Sequence, residues 1–98
     1  CDLVICLSHL GYRYDNNKVS DEVIAANTSG IDLIIGGHTH TFLDEPAVRV
    51  ATDGKKVLIA QTGWGGVRLG RVDFSVGEEV KHFLHSNHNK KTFNYTIG

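Results

Sequence analysis

The chain holds 98 residues and 10.8 kDa, room for one small domain with a modest core. Ten basic against eleven acidic side chains leave a net charge of −1, which removes the electrostatic basis for binding nucleic acid or an anionic membrane surface. With 41% hydrophobic residues, 21% charged and one proline, it is neither a disordered tail nor a low-complexity linker, and no apolar run approaches the ~20 residues of a bilayer span.

There is no methionine, even at position 1, and no basic-then-apolar leader. Cys1-Asp2 leads straight into an apolar run, so the chain is expected to be a piece of a longer protein. A lipidated Cys1 would also open a chain this way, but such cysteines normally sit on a flexible tether. If residues 2–8 form a strand, Cys1 and Cys6 lie ~16 Å apart along it, beyond the ~7 Å that a disulfide tolerates.

Leu3-Val4-Ile5-Cys6-Leu7 is a continuous apolar run, the pattern of a strand covered on both faces. It stops at Ser8-His9, and Gly11 marks the turn away. Ser20 before Asp21-Glu22 predicts a helix N-cap with acids in the first turn, where the helix dipole favours them. Val23, Ile24 and Ala26 form its apolar stripe, and Gly30 is its stop. Ile31-Asp32-Leu33-Ile34-Ile35 then reads as a second buried-type strand, closed by Gly36-Gly37. Strand, helix and strand make a βαβ unit whose two strands are parallel neighbours.

The second half differs. Val48-Arg49-Val50 and Val57-Leu58-Ile59 flank Asp53-Gly54, a hairpin signal. Gly63-Trp64-Gly65-Gly66 is a glycine loop, residues 67–76 predict another strand, and residues 80–84 a further one. Residues 85–91 read as an exposed turn or tail. The expectation is one partial domain over residues 1–98, with residues 77–98 the least constrained.

Three histidines follow from this topology. His9 lies just past the first strand, and His38 and His40 just past the second, 29 and 31 residues later. Carboxyl ends of parallel strands form the ligand crevice of open α/β sheets, so the imidazoles meet at one edge. Gly36 and Gly37 let the backbone turn tightly there, and an extended stretch would point His38 and His40 to one side. Neutral imidazole suits Zn, Mn, Fe, Co or Ni. Three nitrogens without cysteine partners make an open site, or one completed by ligands from elsewhere. Against this stands the ordinary reading of a histidine at a strand end as a hydrogen-bonded loop residue.

Other candidates are weaker. His82, His85 and His88 have metal-like spacing but read as solvated tail residues. Trp64 is better explained by packing on a neighbour than by stacking on a base. Arg13 and Lys18 read as solvated loop cations, and Ser8 has no paired base that would make it a nucleophile.

Ser8-His9-Leu10-Gly11-Tyr12, Gly30-Ile31-Asp32-Leu33-Ile34-Ile35-Gly36-Gly37-His38-Thr39-His40-Thr41, Gln61-Thr62-Gly63 and Leu69-Gly70-Arg71-Val72-Asp73 together resemble the bacterial 5′-nucleotidase family of calcineurin-like metallophosphoesterases. The likeness runs over residues 1–75 and matches the C-terminal half of the family's catalytic domain. It implies an α/β fold: a βαβ unit, a β-hairpin and further strands, forming part of a four-layer α/β/β/α sandwich. It also implies two divalent metal ions, with His9 and His38 sharing one and His40 holding the second, where some members place Gln. The substrate implied is a 5′-nucleotide or related phosphate ester, and the location periplasmic or otherwise extracytoplasmic.

The family's Asp-x-His, Gly-Asp and Gly-Asn-His motifs lie upstream of Ser-His-Leu-Gly and do not occur here. This segment therefore offers no acid, base or transition-state donor, and by itself is expected to be inactive. The missing N-terminal half of the domain is its expected partner, and homo-oligomers its expected alternative. Competing readings are a non-catalytic α/β metal-binding or structural module, and a metallophosphoesterase for cyclic nucleotides or sugar phosphates.

Overall fold

The computed structural model describes residues 1–78 and 89–97. Its elements in chain order are β1 (Ile5–Leu7), α1 (Asp21–Asn27), β2 (Leu33–Ile35), β3 (Ala47–Val50), β4 (Lys56–Ala60), β5 (Gly70–Glu78) and β6 (Asn89–Ile97). They form a small α/β fold: a four-stranded mixed sheet ordered β1-β2-β4-β3 and a separate antiparallel pair, β5-β6.

The βαβ unit has the expected form. β1 and β2 pair in parallel with Cys6 opposite Ile34, and β2 pairs in parallel with β4, Ile34 opposite Ile59. Ser20 caps α1, its hydroxyl accepting from the Val23 amide. Two further N-terminal amides of the helix donate to the loop after β1, Asp21 N to Gly11 O at 2.8 Å and Glu22 N to Tyr12 O at 3.2 Å. These bonds satisfy groups that every helix start leaves open, and they tie α1 to the loop carrying His9. The β3–β4 hairpin also forms, with Val48 opposite Leu58.

Alternation along the strands gives the sheet two faces. On one, Ala25 of α1 packs with Ile34, Val57 and Ile59. On the other, Leu33, Leu58 and Ala60 meet Val72, Phe74 and Tyr95 of the hairpin. Each fully buried Leu or Ile contributes about 1.5–3 kcal/mol relative to exposure.

Four expectations are corrected. Among the described residues the Leu3–Leu7 run is not covered on both faces: β1 is an edge strand of its sheet, with Ile5 46% and Leu7 79% exposed. The helix ends at Asn27 rather than near Gly30, with Thr28 at its C-cap in extended backbone. Its buried positions are Asp21 and Ala25, one turn apart, while Val23 and Ala26 are exposed. Seven residues are too short for an apolar stripe to set the helix phase. Finally, residues 89–91 are not tail but the start of β6, which pairs with β5 through Val72–Tyr95 and Phe74–Phe93. Thr92, Phe93, Tyr95, Thr96 and Ile97 are strand formers. The strand expected over residues 80–84 lies outside the described residues, as do His82, His85 and His88.

Cys1 and Cys6 are both free thiols. Among the described residues, no helix is long and apolar enough to cross a membrane.

Candidate functional site

Past the C-terminal ends of β1 and β2 the sheet ladder continues one step, Ser8 N donating to Ile35 O at 2.9 Å. This carries His9 and the Gly36–His40 loop to the same edge. The rings of His9 and His38 meet edge to face, 5.1 Å between centroids at an interplanar angle of 68°. His40 turns elsewhere and stacks on Trp64, with ring centroids 6.0 Å apart at 29°. The structure thus brings two of the three histidines together. Among the described residues no group of three His, Cys, Asp or Glu side chains converges as a metal cluster.

The stretch from His38 to His40 is not extended. His38 has φ 74° and His40 φ 55°, both left-handed, a conformation in which His is enriched among non-glycine residues. That winding separates the two rings. Gly36 and Gly37, by contrast, are not left-handed, so tight turning is not what requires glycine there. Close approach is. A Cβ on Gly36 would lie 2.1 Å from Asp21 Oδ2, and one on Gly37 would lie 3.2 Å from His9 Nδ1.

Polar side chains hold the two histidine loops to each other. Thr39 Oγ1 accepts from the Tyr12 amide at 3.0 Å and lies 2.8 Å from Thr41 Oγ1. Buried Gln61, just after β4, accepts through Oε1 from the Thr41 amide at 2.7 Å and from Thr39 Oγ1 at 3.4 Å. Asp21 is fully buried, and its Oδ1 accepts from Ser8 Oγ at 2.5 Å. Burial pushes the Asp21 carboxyl up from its ordinary value, while the Ser8 hydroxyl pulls it partly back. The sequence pattern does not single out Asp21 or Gln61. The acid reads as a dipole-compensating residue at a helix start, and the amide only as part of a resemblance.

Ser8, read from sequence as having no paired base, donates its hydroxyl to the Asp21 carboxylate at 2.5 Å. Trp64 is 61% exposed, packed on His40. Lys18 lies 4.7 Å from the Tyr14 ring centroid and Arg13 6.0 Å from that of Tyr12.

The two metal ions expected from the family can be weighed against these donors. Two imidazoles on one tetrahedral ion at ~2.1 Å set their ring centroids roughly 5 Å apart. His9 and His38 fit that spacing, whereas His40 is not grouped with them and lies against Trp64.

Fold and site together describe an α/β unit with two histidines paired at the ends of adjacent parallel strands. The chain is 38% identical to the trifunctional nucleotide phosphoesterase protein YfkN of Bacillus subtilis over 76 residues, covering 78% of this chain and 5% of that protein. It is 37% identical to an apyrase of Tabanus yao over 93 residues, covering 79% and 16%. To a 5′-nucleotidase of Rattus norvegicus it is 31% identical over 86 residues, covering 72% and 14%. The chain belongs to the 5′-nucleotidase family. It spans only 5–16% of the length of these relatives. No protein-family model and no solved structure matches it.

Proposed function

We propose that this chain is the C-terminal part of the catalytic domain of a metal-dependent phosphohydrolase acting on 5′-nucleotides or related phosphate esters. The observation that carries the reading is the edge-to-face pair of His9 and His38 at adjacent parallel strand ends. The names of the relatives, nucleotide phosphoesterase, apyrase and 5′-nucleotidase, support the substrate class.

His9 and His38 would hold one divalent ion between them, and His40 would contribute to a second. When bound, such ions polarise the phosphoryl group and activate a hydroxide for in-line displacement. The part played by this chain is positional. The bond from the Tyr12 amide to Thr39 fixes one histidine loop against the other, and Gly37 allows His9 to approach. Trp64 stacks on the His40 ring. The remaining ligands and the acid/base groups would come from the rest of the domain, completing a four-layer sandwich against the exposed side of β1 and β2. A periplasmic or other extracytoplasmic location belongs to the same proposal and rests on the family alone.

The test is hydrolysis of a 5′-nucleotide by the complete protein that carries this chain. Chelator treatment should abolish turnover and Mn or Zn should restore it. His38→Ala should lower kcat/KM by about a hundredfold or more without moving the unfolding midpoint. Turnover unaffected by both chelator and His38→Ala refutes the reading. Activity on cyclic nucleotides or sugar phosphates, with none on 5′-nucleotides, would reassign the substrate.

A further inference from the structure

Beyond the parallel strand ends, the next row across the sheet is Ser8, Gly36 and Gln61. The register pairs Cys6, Ile34 and Ile59, and the ladder runs on through Ser8 N to Ile35 O and Gly36 N to Ala60 O, each 2.9 Å. Two residues on, alternation returns these positions to the α1 side. Asp21, the first residue of α1, lies over this row, fully buried.

Its two carboxylate oxygens divide the row. Oδ1 is bonded to Ser8 Oγ. Oδ2 occupies the space that a side chain on Gly36 would fill, 2.1 Å from the Cβ position. Gln61 Nε2 lies 3.4 Å from the same position. Both atoms are buried and neither has a hydrogen-bond partner among the described residues. One is an acceptor and the other a donor, and two atoms this close to a single point are within the span of a direct bond or one bridging water. Leaving both unpaired would cost each its full desolvation penalty.

We propose that Asp21 and Gln61 join across Gly36 to complete a polar strap, Ser8–Asp21–Gln61, that sets the separation of the His9 and His38 loops. The strap spans all three parallel strands: Ser8 directly precedes His9, Gly36 lies two residues before His38, and Gln61 holds Thr39 and Thr41 on either side of His40. Asp21 and Gln61 are positioning residues. The consequence for metal binding rests on the proposed function; the strap itself does not.

The experiment is an exchange of the two end groups in the complete protein. Asp21→Asn sets an amide against an amide, and Gln61→Glu sets a carboxylate against a carboxylate. The double variant restores a complementary pair with donor and acceptor reversed, and the amide oxygen introduced by Asp21→Asn can still accept from Ser8. Ring signals of His9 and His38 are followed by NMR in metal-stripped protein, and Zn affinity is measured by chelator competition. Each single variant should displace both ring signals and weaken Zn binding by about tenfold or more, the usual loss when a group supporting a metal ligand is removed. The exchange variant should return the signals and bring affinity to within about threefold of the parent.

Unmoved ring signals in both single variants overturn the strap. So does a double variant as impaired as the two single effects multiplied, or failure of all three variants to fold, since the exchange would then rescue nothing. Absence of Zn binding or of nucleotide hydrolysis in the parent would defeat the proposed function alone, because the ring signals read the strap without either.

Discussion

Gly37 lies against His9 so closely that a methyl group on it would stand 3.2 Å from His9 Nδ1. The neighbouring Gly36 is tighter still, with Asp21 Oδ2 2.1 Å from its Cβ position. The two glycines therefore guard different things: one the placement of a histidine at the surface, the other a buried carboxylate.

Alanine substitutions should separate these roles. Gly36→Ala forces a methyl group into Asp21 and should destabilise by about 1–3 kcal/mol, the usual range for overpacking. Gly37→Ala should cost less than about 1 kcal/mol, because exposed His9 can give way. It should nonetheless shift the His9 and His38 ring signals. Urea unfolding and histidine NMR measure the two effects, and equal stability losses would refute the distinction.

The buried Asp21 carboxyl makes a prediction about pH. Burial raises its pKa above the ordinary 3.8, so the folded state binds this proton more tightly than the unfolded state. The group's contribution to stability is therefore greatest below the unfolded value and is lost as pH rises through the folded one. Asn at this position does not titrate. The stability of Asp21→Asn relative to the parent should therefore climb between about pH 4 and pH 7, whatever its offset at either end. Denaturation midpoints at about pH 4, 5.5 and 7 test this, and parallel profiles would show that Asp21 does not titrate anomalously.

Asp21 also marks where the sequence stops being legible. Ser20-Asp21-Glu22 announces a helix start correctly, since capping is a local matter of backbone geometry. The apolar runs around Ile5 and Ile34 point to parallel neighbours, and Asp53-Gly54 to the hairpin, because both signals act over a few residues. What buries Asp21 is the packing of α1 over Ser8 and Gly36, which no local pattern encodes. Likewise His38 and His40 are separated by left-handed backbone rather than brought together by strand alternation. The pairing of β6 with β5 depends on contacts across the intervening chain, so polar residues 85–91 carry no hint of it.

Arg49 links the hairpin to the helix. Its Nε donates to Glu22 Oε2 at 2.9 Å and its Nη2 to Tyr12 Oη at 2.9 Å, with both charged partners only partly exposed. Arg49→Met keeps most of the stem while removing these bonds. It should cost about 1 kcal/mol, at the upper end for exposed ion pairs because the guanidinium bonds two partners. Adding salt should reduce that cost. A loss below the error of urea unfolding would show that the pair is decorative.

The exposed side of β1 and β2 carries the last prediction. Ile5 opposes Leu33, and Leu7 opposes Ile35, yet Ile5, Leu7 and Ile35 are 46%, 79% and 42% exposed. They continue the face that the β5–β6 pair covers over Leu33, Leu58 and Ala60. Among the described residues β1 is also an edge strand with one side unpaired. Apolar side chains beside an open edge favour association. The 98-residue chain on its own should therefore dimerise or aggregate at micromolar concentration. Leu7→Glu should shift it towards monomer, since charge on an edge strand opposes pairing. In the complete protein the same substitution should instead destabilise, by about 2 kcal/mol or more, because a charge would be buried against the rest of the domain. Light scattering on the isolated chain and urea unfolding of the complete protein measure the two arms. A monomeric isolated chain, together with a complete protein indifferent to Leu7→Glu, would mean that nothing covers this face and that the sandwich arrangement is wrong.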